Sequence, residues 1–216
     1  MPEKNNFPNL NIINHPVIQD RLTRARNKNT QPSEFKKHVK KIAMLMTYEV
    51  TKHLEVQQSN IETPMASFIG QQLKNREPII VPILRAGLGF SDGVQEILSE
   101  SDFAHIGVYR DEDTKKPVEY LVRMPPDMKD KDVLLVDPML ATGHSADHAI
   151  KLLKEAGVDA KRIKFMVLVA APEGVQFLQE NQPEVEVFTA ALDDHLNEDC
   201  YIVPGLGDAG DRIFGT

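Results

Sequence analysis

One stretch constrains this chain more than any other: Val133-Leu134-Leu135-Val136-Asp137-Pro138-Met139-Leu140-Ala141-Thr142-Gly143-His144-Ser145. Four consecutive apolar residues ahead of Asp137 fit a strand covered on both faces, as strands are in a parallel sheet. Beyond the turn, Ala146, Ala149, Ile150, Leu152 and Leu153 gather on one side at helical spacing. That order puts Asp137 at the carboxyl end of a strand, the edge where open α/β sheets take ligands. A helix N-terminus offers unpaired N–H groups and the positive end of a dipole, so it attracts an anion. Thr142 and Ser145 add hydroxyl donors, and Gly143 lets the backbone approach closely. A carboxylate beside a phosphate cradle repels the phosphate, and accepting hydrogen bonds from sugar hydroxyls gives Asp137 another task. The residues describe a ribose-5-phosphate site. A plain strand–turn–helix whose Thr and Ser only cap the helix satisfies the same tetrapeptide.

Elsewhere apolar runs and helical stripes alternate. Strands are expected at 79–84, 104–109, 133–137, 163–170 and 185–190, with helices at 89–99, 145–156 and 172–179. Such alternation implies a parallel sheet of about five strands flanked by helices. A long helix is expected over 33–54, with Phe35, Val39, Ile42, Met46, Val50 and Leu54 on one stripe for core or subunit packing. Thr63-Pro64 reads as the cap and first position of another helix ending near Asn75. Residues 1–32 read as an irregular arm broken by Pro8, Pro16 and Pro32. Residues 111–131 are charged and proline-bearing, which suggests a mobile loop with a β-arm near 118–122. The Gly- and Asp-rich tail, 192–216, reads as an ordered cap over the sheet edge.

The 216 residues carry a net charge of −7, with a pI near 5.5. Broad attraction to nucleic acid or to an anionic membrane is therefore not expected, and an anionic substrate must be caught locally. One cysteine, Cys200, cannot make an internal disulfide, and no Cys/His cluster has zinc-ligand spacing. With no apolar run of transmembrane length and a polar N-terminus, these features point to the cytoplasm.

Three further loops fall at the same sheet edge. Arg85 follows the first strand of the alternating series ahead of Gly87 and Gly89, and its guanidinium suits a diphosphate; a surface Arg before a glycine turn is the plainer reading. Arg110 ends the second strand ahead of an acidic run, either a substrate lid or a solvated charge run. In the tail, Gly205, Gly207 and Gly210 match GxGxxG, but too few residues follow for a dinucleotide-binding βαβ unit. Gly87, Gly89 and Gly93 are spaced one residue too long for that fingerprint, although Asp111 falls where a ribose-binding acid would. A glycine-rich tail exposing N–H and C=O groups can instead read a small base edge such as that of uracil. Cys200, close by, is expected to be a buried structural thiol, and His15, His38, His53, His105, His148 and His195 show no partner spacing.

VPILRAGLG at 81–89, YRDEDTKKPVEY at 109–120, VDPMLATGHS at 136–145, VLVAAPEG at 167–174 and YIVPGLGDAGDRIFGT at 201–216 resemble the uracil phosphoribosyltransferases. The resemblance runs from about Thr47 to the C-terminus, and its last sixteen residues separate this family from other phosphoribosyltransferases. It implies one type I phosphoribosyltransferase domain over 1–216, with a small hood from the terminal segments in which 192–216 holds uracil. The implied reaction joins uracil to 5-phosphoribosyl diphosphate (PRPP), giving UMP and diphosphate with Mg²⁺. Thr142, Gly143, His144 and Ser145, in the stretch Pro138, Met139, Leu140 and Ala141 lead into, would hold the 5-phosphate. Asp137 would take the ribose hydroxyls, and Arg85 and Arg110 the diphosphate. Ile202, Gly207, Asp208 and Ala209 would surround uracil, with Asp208 also near PRPP. Asp137 is followed by Pro138 rather than a second acid, which implies that Mg²⁺ is carried mainly by PRPP.

The resemblance also brings in GTP as a candidate activator, and the stripe on 33–54 suits a homodimer or larger homo-oligomer. His144 stands where the family usually has Gly. A positive φ there would strain the loop; otherwise the ring points to solvent or its N–H joins the phosphate contacts. Two rival readings remain: a catalytically weak PRPP- or UMP-binding paralogue, and a pyrimidine-sensing RNA-binding regulator, which would need a basic face.

Overall fold

The computed structural model describes residues 7–110 and 117–216. Its elements in chain order are β1 (Leu10–Ile12), α1 (Pro16–Arg26), α2 (Pro32–Val50), β2 (Val56–Glu62), β3 (Ser67–Leu73), β4 (Ile79–Leu84), α3 (Gly87–Gln95), β5 (His105–Arg110) and β6 (Pro117–Arg123). There follow β7 (Val133–Leu140), α4 (His144–Glu155), β8 (Ile163–Ala170), α5 (Pro172–Asn181), β9 (Glu186–Leu192), β10 (His195–Leu196), β11 (Ile202–Val203) and α6 (Ala209–Phe214).

The main sheet has the order β1-β9-β8-β7-β4-β5-β6. The five expected strands form its parallel centre, and β1 adds a parallel edge beside β9. The opposite edge, β6, is antiparallel to β5 and occupies the position expected for a β-arm. Residues 111–116 of the expected loop lie outside the described residues, whereas 124–131 follow β6 and bury Met128 in the core.

Burial explains the unbroken apolar runs. Val133 and Leu135 of β7 belong to one core cluster, with Ala149, Ile150 and Leu153 of α4 and Val175 and Leu178 of α5. Leu134 and Val136 belong to a second cluster, with Ile18 of α1, Ile42 and Met46 of α2 and Phe90 of α3. Each face of the strand thus has its own helical cover, so no alternation with polar residues is needed.

Two expectations are corrected here. Of the expected irregular arm, the described residues 7–32 are ordered instead: Pro16 occupies the first turn of α1, where its missing N–H costs nothing, and residues 10–12 join the sheet. Residues 63–75 are not a helix. Thr63 instead turns a hairpin: its Oγ1 accepts from the Met65 and Ala66 N–H groups and donates to the Ala66 carbonyl, pairing β2 with β3. Of the two uses expected for the α2 stripe, core packing is the one seen: Phe35, Val39, Ile42, Met46 and Val50 are all buried in the chain's own core. Large exposed apolar side chains sit instead on the hairpin, including Met65, Phe68 and Ile69. Among the described residues no helix is long and apolar enough to cross a membrane.

Candidate active site at the sheet switch point

From β4 the chain passes through α3 to β5 on one side of the sheet. From the neighbouring β7 it passes through α4 to β8 on the other side. The two connections leave in opposite directions, and the gap between them is the crevice where open α/β sheets take ligands. A cleft of about 740 Å³ lies there, reached by residues after β4, residues after β7 and the C-terminal tail.

Arg85, Asp137, Met139, Leu140, Ala141, Thr142, Gly143, Ser145, Ile202 and Asp208 all line this cleft. Thr142 and Asp208, distant in sequence, therefore face one cavity. Pro138, His144, Gly207 and Ala209 are not among its lining residues; Ala209 is fully buried at the start of α6. Arg110 ends β5, and its side chain is outside the described part. The linings that sequence reasoning missed include Asp199, Cys200 and Tyr201. They immediately precede Ile202, and membership of the quoted tail motif was the available signal for Tyr201.

Helix α4 begins at His144, and its N-cap is Gly143, with φ of 84° and no side-chain cap. A residue without a side chain thus occupies the capping position, which removes the reading in which Thr142 or Ser145 merely caps the helix. Gly143 is required twice over. Its φ is left-handed, and a Cβ there would lie 2.9 Å from the Phe177 ring. His144 carries no positive φ, so the strain expected of it does not arise. Its exposed ring stacks on Phe177, with centroids 4.4 Å apart and planes 17° from parallel. Gly87 and Gly89 are fixed by packing: an added Cβ would strike the Val136 carbonyl at 2.7 Å and the Ile213 side chain at 2.8 Å. They pack α3 tightly into the core.

Asp137 sits half-buried on the cleft floor and accepts a hydrogen bond from the Met139 N–H at 3.1 Å. Loss of water around the carboxyl pushes its pKa up to about 7; the Met139 bond opposes the rise and the charge of Asp208 adds to it. Asp208 also caps α6, accepting from the Asp211 N–H at 2.9 Å. Cys200 is partly rather than fully buried and has φ of 64°, correcting the expectation of a buried thiol. Among the described residues no group of three or more His, Cys, Asp or Glu side chains is placed to hold a metal.

A strand-end acid, a glycine-capped helix start and a glycine-rich tail around one crevice can hold a sugar phosphate opposite a small planar base. The family model for uracil phosphoribosyltransferase matches residues 12–216. The chain belongs to the uracil phosphoribosyltransferase family. A uracil phosphoribosyltransferase of Lacticaseibacillus paracasei is 53% identical over 205 residues, covering 95% of this chain and 97% of that one. One from Ralstonia pickettii is 49% identical over 216 residues, covering 100% and 99%. The solved structure of the AQ2163 protein from Aquifex aeolicus superposes with a TM-score of 0.90 at 32% identity, covering 96% of this chain and 98% of that chain. Family membership agrees with a type I phosphoribosyltransferase fold, whose mostly parallel sheet is seen here.

Proposed function

We infer that the chain transfers the 5-phosphoribosyl group of PRPP to uracil, giving UMP and diphosphate for pyrimidine salvage. The observation that carries this reading is that Thr142, Asp137 and Arg85 line the same cleft as Ile202 and Asp208 of the tail. Residues 1–216 act as one phosphoribosyltransferase domain, with 192–216 as the base-holding hood.

In the mechanism, the amides and hydroxyls of 142–145 hold the 5-phosphate at the start of α4. Ionised Asp137 accepts hydrogen bonds from the ribose hydroxyls. Arg85 and Arg110 hold the diphosphate, and the backbone at Ile202 and Asp208, the two of the four expected uracil residues that line the cleft, meets the edge of uracil. No covalent nucleophile is required: the anomeric C–O bond breaks as diphosphate leaves, and the sugar gains oxocarbenium-like charge. The protein contributes mainly position, by fixing uracil behind the reacting carbon, and electrostatics, by keeping guanidinium charge on the leaving group.

Mg²⁺ fits this donor set if it enters with PRPP. Such an ion needs only one or two carboxylates beside substrate oxygens and water, and Asp137 and Asp208 both face the cleft. When bound, it neutralises charge on the departing diphosphate. We extend the reading to a cytoplasmic homodimer or larger homo-oligomer, for which the apolar side chains exposed on β2 and β3 supply a surface. GTP remains a candidate activator. Diphosphate release from PRPP, measured with each nucleobase in turn and with and without Mg²⁺ and GTP, tests the whole proposal. Release with uracil alone is expected; release with no base, or equally with all, would refute it.

A further inference from the structure

Two guanidinium groups grip consecutive carbonyls between the cleft-lining residues Ile202 and Asp208 of the tail. Arg26, at the end of α1, donates through one nitrogen to the Gly205 carbonyl at 2.6 Å and to Asp193 Oδ2 at 2.8 Å. Its other terminal nitrogen meets Asp193 Oδ1 at 2.5 Å. Asp193, with a side chain 4% exposed, also accepts from the Gly205 N–H at 3.0 Å. Arg212, on α6, donates to the Leu206 carbonyl at 2.8 Å and to the Asn27 carbonyl at 2.8 Å, and its guanidinium lies 4.2 Å from the centre of the Phe35 ring.

In the turn between Ile202 and Asp208, Pro204 fixes its own φ but the two glycines that follow do not fix theirs. Gly205 and Gly207 both have positive φ, at 58° and 76°, and glycine visits many conformations at little cost. The constraint has to come from outside the turn. A peptide unit is planar, so a fixed partner on its carbonyl also fixes the N–H on its other edge. Holding the Gly205 and Leu206 carbonyls therefore orients the N–H groups of Leu206 and Gly207, which lead directly into Asp208. Recognition of a base edge by backbone groups depends on that orientation, because hydrogen bonds weaken steeply with angle.

We propose that Arg26, seated on Asp193, and Arg212 are positioning residues that set the base-recognising turn and so govern uracil affinity and selectivity. This rests on the reading of the tail as the uracil hood. Neither arginine touches the substrate; both act through peptide planes. The 5-phosphate loop between β7 and α4 does not depend on them.

The test compares wild type, Arg26→Lys and Asp193→Asn. Lysine keeps the charge beside Asp193 but lacks the fork that serves two acceptors at once, and asparagine keeps the shape and an acceptor. Steady-state kinetics give KM for uracil and for PRPP, and thermal shift with PRPP reports the integrity of the other half. The expected result is a rise in uracil KM of about tenfold or more and a narrower preference for uracil over cytosine, with PRPP KM changed by less than about twofold. Unchanged uracil KM with only a lower Tm would make the contacts a plain structural support and overturn the proposal. So would parallel loss of the PRPP-induced shift in both variants. A wild-type protein that releases no diphosphate with uracil would instead sink the underlying reading, and this proposal with it.

Discussion

At the scale of single residues, Asp137 has the most to do. A carboxyl with a pKa near 7 is only partly ionised at neutral pH, and the ionised form is the one that accepts hydroxyl hydrogen bonds. The value of kcat/KM for PRPP is therefore expected to climb as pH rises through about 7 and then level off. Asp137→Asn should lower it by about a hundredfold and remove that limb of the profile, leaving only the ionisations of PRPP itself. Gly143→Ala should cost more than His144→Gly. The first places a Cβ at positive φ against Phe177, and a loss of PRPP-induced thermal stabilisation would reveal it. The second removes a ring that stacks on Phe177, and PRPP KM should stay within about twofold while stability falls by roughly 1 kcal/mol from glycine in the first helical turn. The sequence allowed the strain idea for His144 because a one-residue shift of the left-handed position is invisible without the backbone.

At the scale of elements, legibility followed burial. The strands β4, β7 and β8 could be read because both faces are covered, which leaves uninterrupted apolar runs. The hairpin of β2 and β3 could not. Its residues are exposed on both faces, so no period of two is written into them, and Thr63-Pro64 serves a turn as readily as a helix start. Strand β1 has three residues, too few for any period. In the candidate site the residues around β7 were legible because chemistry and local pattern coincide there. The contacts of Arg26 were not, because 167 residues separate it from Asp193. The hairpin carries its own prediction: Phe68→Ser combined with Ile69→Lys should lower the molar mass measured by light scattering, without shifting the midpoint of PRPP-dependent thermal protection. Unchanged mass would remove the hairpin from any assembly interface.

At the scale of the whole molecule, stability and ligand binding are linked through the same cleft. The folded protein holds the Asp137 proton up to about pH 7, whereas the unfolded chain releases it near the ordinary 3.8. Between those values the folded state binds more protons, so this group's contribution to stability falls as pH rises, and is lost above about 7. Denaturant midpoints of wild type measured against Asp137→Asn should therefore converge toward low pH and separate with the variant more stable toward pH 8. PRPP at a hundred times its dissociation constant should add about 2.7 kcal/mol of stability, whereas a nicotinamide dinucleotide should add none. The second half of that expectation tests the glycines at 87, 89 and 93, which here close a helix against its neighbours.

The pairing of β1 with β9 sets Ile12 beside Thr189. During synthesis the earliest strand thus emerges long before its neighbour exists, and must wait without a partner until nearly nine-tenths of the chain has been made. The central strands, whose neighbours lie closer in sequence, can assemble in the meantime. The N-terminal edge is then a late addition to a finished centre, and a tag or fusion placed ahead of residue 10 is expected to slow completion of folding more than it lowers final stability.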